Sequence, residues 1–462
     1  MTEKEKIQEL EAQLAQRDVL LAQALTRISE LEALVLKIST VKTSQNSHLP
    51  PSLDLLRKNQ SLREKSDKPI GGQKGHKGHT LKMSDSPDII EKIYPDICGE
   101  CGLNFKDLST TDFELIARRQ VIDIPPILPQ TIEYQNFGVR CSCGHHEEGK
   151  FPEEVTNHVQ YGKNIQSLVI YHSYYQFIPF ARLQDFFKNV CQVSISKGTI
   201  ENIIRRTSRK ALPAYEVLKQ TIALSFFVGA DETGFKTNGK KGWFWVWQNA
   251  LVTFIVAATS RSKQVISEVF PEGLPNSILC SDRLAAQLST ICQGNQICLA
   301  HLLRDLKYLI GAENTPWATD FKILLNDAIK LKQIQPFYDK NDIKTIEIEL
   351  RAAKLLDLSI LEDQLNDPIL FKQTITFFRG MVKLKHALFP FLYHADVPFD
   401  NNGSERAFRM VKVKTKVSGQ FKSLHQEFAI IRSVIGSAIK NKKPVLNAIA
   451  DLVALPLPKA AG

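Results

Sequence analysis

Three carboxylates among the 49 Asp and Glu residues stand out by position rather than type. Asp231 lies inside the apolar run FFVGADETGF, where a charge is costly unless it is paired or bound to metal. Asp282 ends the apolar run SILCSD, at the carboxyl edge of a buried strand, where α/β sheets place ligands. Glu405 follows Asn401-Asn402-Gly403-Ser404 and opens a basic helix. Carboxylates from a strand, a neighbouring strand end and a helix can meet at one point. Their hard oxygens suit Mg²⁺ or Mn²⁺. Two such ions ~3.5–4 Å apart stabilise the attacking and leaving oxygens of phosphodiester cleavage. Each residue also has an ordinary role open to it. Asp231 could end its strand, Asp282 could cap the LAAQLSTI segment, and Glu405 could serve a helix dipole. Glu232 and Asp400 are adjacent alternatives.

Cations follow Glu405 at helical spacing. Arg406 is beside it, Arg409 and Lys412 lie four and seven residues on, and Lys416 is about a turn further. Such a face suits a scissile phosphate and its flanking backbone. His301 and Arg304 share a face of another helix; a packed or surface pair is the favoured reading over an approach to the carboxylates. Cys98-x-x-Cys101 and Cys141-x-Cys143 form two close thiol pairs suited to tetrahedral Zn²⁺, with His145 or His146 as alternatives to Cys143. A closed four-ligand site leaves no open position, so that zinc is expected to be structural. Cys191, Cys280, Cys292 and Cys298 sit in apolar surroundings and read as core residues.

The elements that must position these groups fall into segments. Over residues 3–39, Ile7, Leu14, Leu21, Ile28 and Val35 recur at one heptad position, and Leu10, Arg17, Ala24, Leu31 and Ile38 at the other. That pattern predicts a coiled coil in 1–40 and self-association, a dimer by default. Residues 41–90 read as a basic linker, whose GGQKGHKGH stretch offers Lys74, Lys77 and backbone amides to phosphate or acts as a plain tether. Residues 91–160, with short β-like runs, form the expected zinc-binding domain. Residues 161–223 read as helical. A short helix, a turn near 193–196 and a second helix carrying Arg205 and Arg206 resemble a helix-turn-helix, a structural connector being the other reading. From 224 to 440 the runs SFFVGADETGFK, WFWVWQNA, LVTFIVAAT and SILCSD, with a crossover helix before the last, predict a mixed α/β sheet. Residues 300–395 read as nearly continuous helix, and 441–462 as a last helix and tail.

Composition sets the outer bounds. The chain has 462 residues, 43% of them hydrophobic and 23% charged, ordinary values for a multidomain globular protein. No apolar run reaches the ~18–20 residues of a membrane span. The N-terminus MTEKEKIQELE lacks the apolar core of an export signal, and eight cysteines are too few for a disulfide scaffold. A cytoplasmic protein is expected. The net charge of +10 is concentrated. Residues 40–83 hold nine Lys/Arg against three Asp/Glu, 182–210 seven against two, and 403–443 ten against two, leaving the rest net negative. Nucleic acid is the polyanion such clustering suits.

The chain resembles the transposases of the insertion sequence 66 family, DDE enzymes with a ribonuclease H-like catalytic core. The resemblance runs from about residue 25 to 455. It is carried by NSHLPPSLD, GGQKGHKGHTL, the CGECG pair, GADETGF, CSDRLAAQ, CLAHLLRDL and DNNGSERAFRMVKVKTKVSGQF. It implies a multidomain α+β protein: an N-terminal coiled coil, a zinc-ribbon-like element, a helical domain, and a ribonuclease H-like core with a helical insertion at about 300–395. The family's catalytic carboxylates fall on Asp231, Asp282 and Glu405, and its zinc pairs on Cys98, Cys101, Cys141 and Cys143. Lys412 takes the place of the basic residue that many DDE enzymes carry seven after the glutamate. Leu299 stands where the family tends to show an aromatic. The expected activity is metal-dependent cleavage and strand transfer at the ends of a mobile element, with two Mg²⁺ or Mn²⁺ ions and a structural Zn²⁺. Expected partners are terminal inverted repeats and target DNA, a second copy of the chain, and element-encoded accessory proteins, on a bacterial nucleoid. The alternative is a non-catalytic, zinc-stabilised coiled-coil regulator that binds DNA; a metal-dependent nuclease shares the core but not the substrate.

Overall fold

The N-terminal segment, free of Gly and Pro, forms one 37-residue helix, α1 (Glu3–Ser39). Its heptad side chains Ile7, Leu14, Leu21, Ile28 and Val35 are 52–65% exposed among the described residues. The computed structural model describes residues 3–40, 42, 43, 46, 75, 77, 81–106 and 108–458. Lys74 and most of the expected linker lie outside the described residues.

The chain divides into two units, Met1–Arg57 with Thr131–Asn189 and Val193–Gly462, and Lys58–Gln130 with Val190–Gln192. The division falls inside 91–160, the segment expected as one zinc-binding domain. In the second unit, the Gln120 side chain and the Ser84 backbone exchange two hydrogen bonds of 2.7 Å. Tyr94 packs on Phe113, and Ile97 pairs with Asn104. The strands expected between Cys101 and Cys141 reduce, among the described residues, to the three-residue β1 (Gly138–Arg140), which pairs with β2 (His146–Glu148). Ile116, Val121 and Ile124 in that stretch are at least 80% exposed: they are apolar enough to read as strands but bury nothing here.

In the first unit α2 (Lys163–Ile170), α3 (Phe180–Val190) and α4 (Lys197–Ala223) lead into the sheet. Ser196 caps α4 by accepting from the Thr199 amide at 3.0 Å. Ile200, Ile203, Ile204 and Ala211 of α4 are buried, so this helix spends its apolar face inside the fold.

Five strands follow: β3 (Phe227–Thr237), β4 (Lys240–Gln248), β5 (Thr253–Ala258), β6 (Leu274–Ser281) and β7 (Cys292–Ile297). Asn238 and Gly239, both at positive φ, make the two-residue turn from β3 to β4. α5 (Lys263–Val269) crosses back to β6, and α6 (Ala285–Leu288) precedes β7. The sheet order is β5-β4-β3-β6-β7, antiparallel across β5, β4 and β3 and parallel across β3, β6 and β7. The sequence reading anticipated four of these strands. CQGNQI, the fifth, has no strand periodicity; it is held at an edge by parallel pairing to β6.

α7 (Leu299–Glu313), α8 (Pro316–Ile334), α9 (Ile343–Leu355), α10 (Ile360–Asp363), α11 (Lys372–Lys383) and α12 (Pro390–Tyr393) follow, in the segment read as nearly continuous helix. Its core gathers around Trp317, Phe321 and Phe378. α13 (Asn402–Ser418), α14 (His425–Lys440) and α15 (Val445–Ala454) complete the chain. One sheet face, with Val228, Ala230, Trp245 and Trp247, packs on α5 and the end of α4. On the other face Phe235 and Phe244 stack at 4.2 Å and meet Phe421 and Phe428. Ser433 and Ser437 of α14 accept the β5 amides of Ile255 and Thr253, so the free edge of that strand is covered by a helix. Among the described residues no helix is long and apolar enough to cross a membrane.

Candidate active site

Alternation along β3 separates two adjacent carboxylates. Val228, Ala230 and Glu232 share the face toward α5; Gly229 and Asp231 share the face toward α13. Glu232 is already committed. It accepts from the Arg261 guanidinium and from Gln287 Nε2 at 2.9 Å, a structural engagement that sets it apart from its neighbour. Asp231 accepts only its neighbour's amide, Glu232 N–H, at 2.8 Å among the hydrogen bonds described. Burial first, then the Asp282 and Glu232 carboxylates, hold its pKa well above the ordinary value; that amide and His301 oppose the shift.

Asp282 follows the last residue of β6. Arg283, the next residue, takes positive φ (44°), and its guanidinium pairs with Asp305 of α7, fixing the turn. Asp282 Oδ1 is buried and accepts no aligned hydrogen bond, although His301 Nδ1 lies 3.1 Å away. On the other side of the ring, His301 Nε2 is 3.7 Å from Glu405 Oε1, and Arg304 Nη2 is 3.3 Å from the same oxygen. Asp282 and Glu405 thus stand on opposite nitrogens of one imidazole. Burial alone would lower the His301 pKa, but Asp282 and Cys298 outweigh it and raise it to about 10. His301 and Arg304 therefore approach the carboxylates, where the sequence favoured a packed or surface pair. Both lie in the first turns of α7, whose N-terminus β7 delivers beside Asp282.

The NNGSER segment seats Glu405. Asn401 Nδ2 donates to the Ala230 carbonyl at 2.7 Å, tying the start of α13 to β3 next to Asp231. Its Oδ1 accepts from Ser404 Oγ at 2.7 Å. Two buried thiols hold the same peptide unit: Cys280 Sγ donates to the Asp400 carbonyl at 3.5 Å, and Cys298 Sγ accepts the Asn401 amide at 3.2 Å. Close approach does the rest. A Cβ on Gly403 or on Gly229 would each fall 2.5 Å from Gln248 Nε2. The Asp400 carboxylate caps Asn402, taking its amide at 3.0 Å and its side chain at 2.6 Å. It is a structural cap, and Glu405 is the acid left facing His301. Sequence reasoning missed Cys280, Cys298, Asn401 and Gln248 as positioning groups. The C-x-x-H spacing of Cys298 and His301, one helical turn, was the available signal.

The remaining expected residues are placed as follows. Arg406, Arg409, Lys412 and Lys416 of α13 are exposed. Lys77 is exposed; Arg206 is half-buried; Arg205 forms an ion pair with Glu427 of α14 at 2.9 Å. Each cysteine pair sits on a tight turn. The Cys98 carbonyl accepts from Gly102, and the Cys141 carbonyl from Gly144, both glycines at positive φ. Neighbouring amide and thiol groups lower the Cys98 and Cys141 pKa values, Cys101 and Cys143 being the largest contributors. Cys191, Cys280 and Cys298 are buried as expected, and Cys292 is half-buried.

Among the described residues Asp282, Cys298 and His301 offer ligand atoms within 4.8 Å of one another. The carboxylates also fit a divalent cation on their own terms. Asp282 carries an oxygen without an aligned donor, and Asp231 is held in a like-charged neighbourhood.

No curated protein matches the chain. Residues 158–427, more than half the chain and spanning Asp231, Asp282, His301 and Glu405, match the family described as Transposase IS66 family. By that match the protein belongs to the IS66 family of transposases.

Proposed function

We propose that the chain is a DDE transposase that cuts DNA at the ends of a mobile element and joins the freed strand to a target. Asp231, Asp282 and Glu405 would hold the Mg²⁺ or Mn²⁺ ions. Bound there, the ions supply Lewis-acid stabilisation to the attacking and leaving oxygens of an in-line displacement. The placement of Asp282 and Glu405 on the two sides of the His301 ring, with Asp231 in electrostatic reach, carries this reading. The sheet order, with the first acid on its central strand, the second after a parallel neighbour and the third on a helix, supports a ribonuclease H-like core.

The chain's own residues have distinct parts in this scheme. His301 and Arg304 offset the negative charge of the carboxylates and orient Asp282 and Glu405. Asn401, with Cys280 and Cys298, fixes the entry of α13 so that Glu405 faces β3. Arg406, Arg409, Lys412 and Lys416 bind the phosphates flanking the scissile bond. Lys77 would add a sequence-independent contact. The exposed heptad seam of α1 pairs with a second copy of the chain, and each cysteine turn supplies two thiolates of the kind structural zinc takes. A purely DNA-binding regulator would need none of the carboxylate arrangement. The test is a Mg²⁺- or Mn²⁺-dependent nicking assay on DNA carrying candidate terminal repeats. Asp231→Asn is expected to abolish cleavage and keep DNA binding; cleavage at the wild-type rate by that variant would refute the assignment.

A further inference from the structure

The catalytic reading uses Asp282 and assigns Cys298 no ligand role. Cys298 is fully buried at the start of α7, and its Sγ lies 3.2 Å from His301 Nδ1. Asp282 Oδ1 lies 3.1 Å from the same nitrogen, and the three atoms fit within 4.8 Å of one another. Ligand bonds of about 2.0–2.3 Å to a tetrahedral Zn²⁺ set neighbouring donors roughly 3.3–3.6 Å apart. The two distances from His301 Nδ1 need only a few tenths of an ångström of expansion to meet that spacing. Asp282 Oδ1, buried without an aligned hydrogen bond, is a donor still wanting a partner. The Cys298 sulfur already accepts the Asn401 amide, the kind of outer contact that orients a thiolate ligand.

We propose that Asp282, Cys298 and His301 form a second metal site, selective for a borderline-soft divalent cation such as Zn²⁺ or Co²⁺, that competes with catalysis for Asp282. The donor set decides the selectivity. Mg²⁺ takes oxygen ligands and ignores a thiol, whereas a sulfur, an imidazole nitrogen and a carboxylate oxygen suit Zn²⁺. Loading releases the thiol proton of Cys298 and any proton on His301 Nδ1 to solvent. It also ties Asp282 to His301 from the side away from Glu405. Three protein ligands leave a fourth position open to water. The inhibitory consequence rests on the catalytic reading above; the metal site itself does not.

The test uses the full-length chain, stripped with chelator and titrated with Co²⁺ alone, following thiolate-to-metal charge-transfer absorption and bound metal per chain. The wild type is expected to bind one equivalent more than Cys298→Ser. Serine still accepts the Asn401 amide and should preserve the fold, and His301→Gln provides a second variant should it not. Both keep the other cysteine pairs, which cancel in the difference. Equal stoichiometry and identical spectra in all three proteins would overturn the site. With Mg²⁺ fixed, Zn²⁺ at a saturating level is expected to lower wild-type cleavage at least tenfold; undiminished cleavage with the site loaded would overturn the competition. A protein that takes up Co²⁺ through Cys298 yet never cuts DNA would uphold the site and sink the catalytic reading instead.

Discussion

Glu405 reaches the site only because α13 lies unusually close to the sheet, and Gly403→Ala tests that closeness. The added Cβ would meet Gln248 Nε2 at 2.5 Å, Cδ at 3.0 Å and Oε1 at 3.1 Å. Ordinary contact begins near 3.4 Å, so something must move by close to 1 Å. Gln248 is poorly placed to yield. It is 6% exposed, Lys440 Nζ holds its Oε1 at 2.6 Å, and its Nε2 is also crowded against Gly229. The first turn of α13 must therefore lift, taking Glu405 with it two residues on. Overpacking of this kind costs about 1–3 kcal/mol. Replacing a helical glycine returns at most ~1 kcal/mol, and less in a first turn. A net loss of about 1–2 kcal/mol lowers the melting temperature by roughly 2–6 °C. The effect on chemistry is larger, since a 1 Å misplacement of a reacting group can cost about 10²-fold. Metal-dependent nicking under single-turnover conditions should fall ~10–100-fold while thermal melting shows a folded protein. Gly403→Ala combined with Gln248→Ala should recover much of both losses, because the two residues share one contact. An unchanged melting temperature and cleavage rate in the single variant would refute the seating argument. A lower melting temperature with full activity would show that Glu405 does not depend on it.

Asp231→Asn should stabilise the metal-free chain by about 1–2 kcal/mol, as expected where a site is strained for function. Burial and neighbouring carboxylates raise the native Asp231 pKa above its ordinary 3.8, so its contribution is full below 3.8 and lost as pH rises through the native value. Melting curves in chelator should therefore fall with pH in the wild type and flatten in the variant; equal slopes would contradict the like-charge cluster. Single alanine substitutions at Arg409, Lys412 or Lys416 should each reduce the slope of log affinity against log salt by ~1. Arg205→Ala should leave that slope alone and cost at most ~1 kcal/mol, because Arg205 is itself half-exposed and paired with Glu427; a slope change there would reassign it to DNA. Leu14→Asp with Leu21→Asp should halve the mass found by sedimentation, since both side chains are at least 60% exposed on α1; an unchanged mass would remove the heptad from self-association.

The parts of this site that could be read from the chain are those where a side chain is costly where it stands. Asp231 inside an apolar strand and Asp282 at the end of another need an explanation from sequence alone; Asp282 lies 3.1 Å from His301, and Asp231 is within electrostatic reach of both. The hairpin was equally legible, because alternation and an Asn-Gly turn are carried by side chains and φ preferences. What went unread was held together by backbone. Strand β7 is written CQGNQI, with nothing β-branched before its last residue, and it exists because its amides and carbonyls pair with β6. Missing it hid the next step. Only β7, laid parallel beside β6, sets the first turn of α7 against Asp282, so from sequence His301 reads as half of a packed or surface pair with Arg304. Cys280 and Cys298 were placed in the core correctly, yet their partner is a main-chain peptide 100 residues or more away, which no spacing along the chain encodes. One polar edge strand thus separates a list of acids from a site. Any substitution that weakens β7 pairing should scatter His301 and Cys298 together while leaving Asp231 in place.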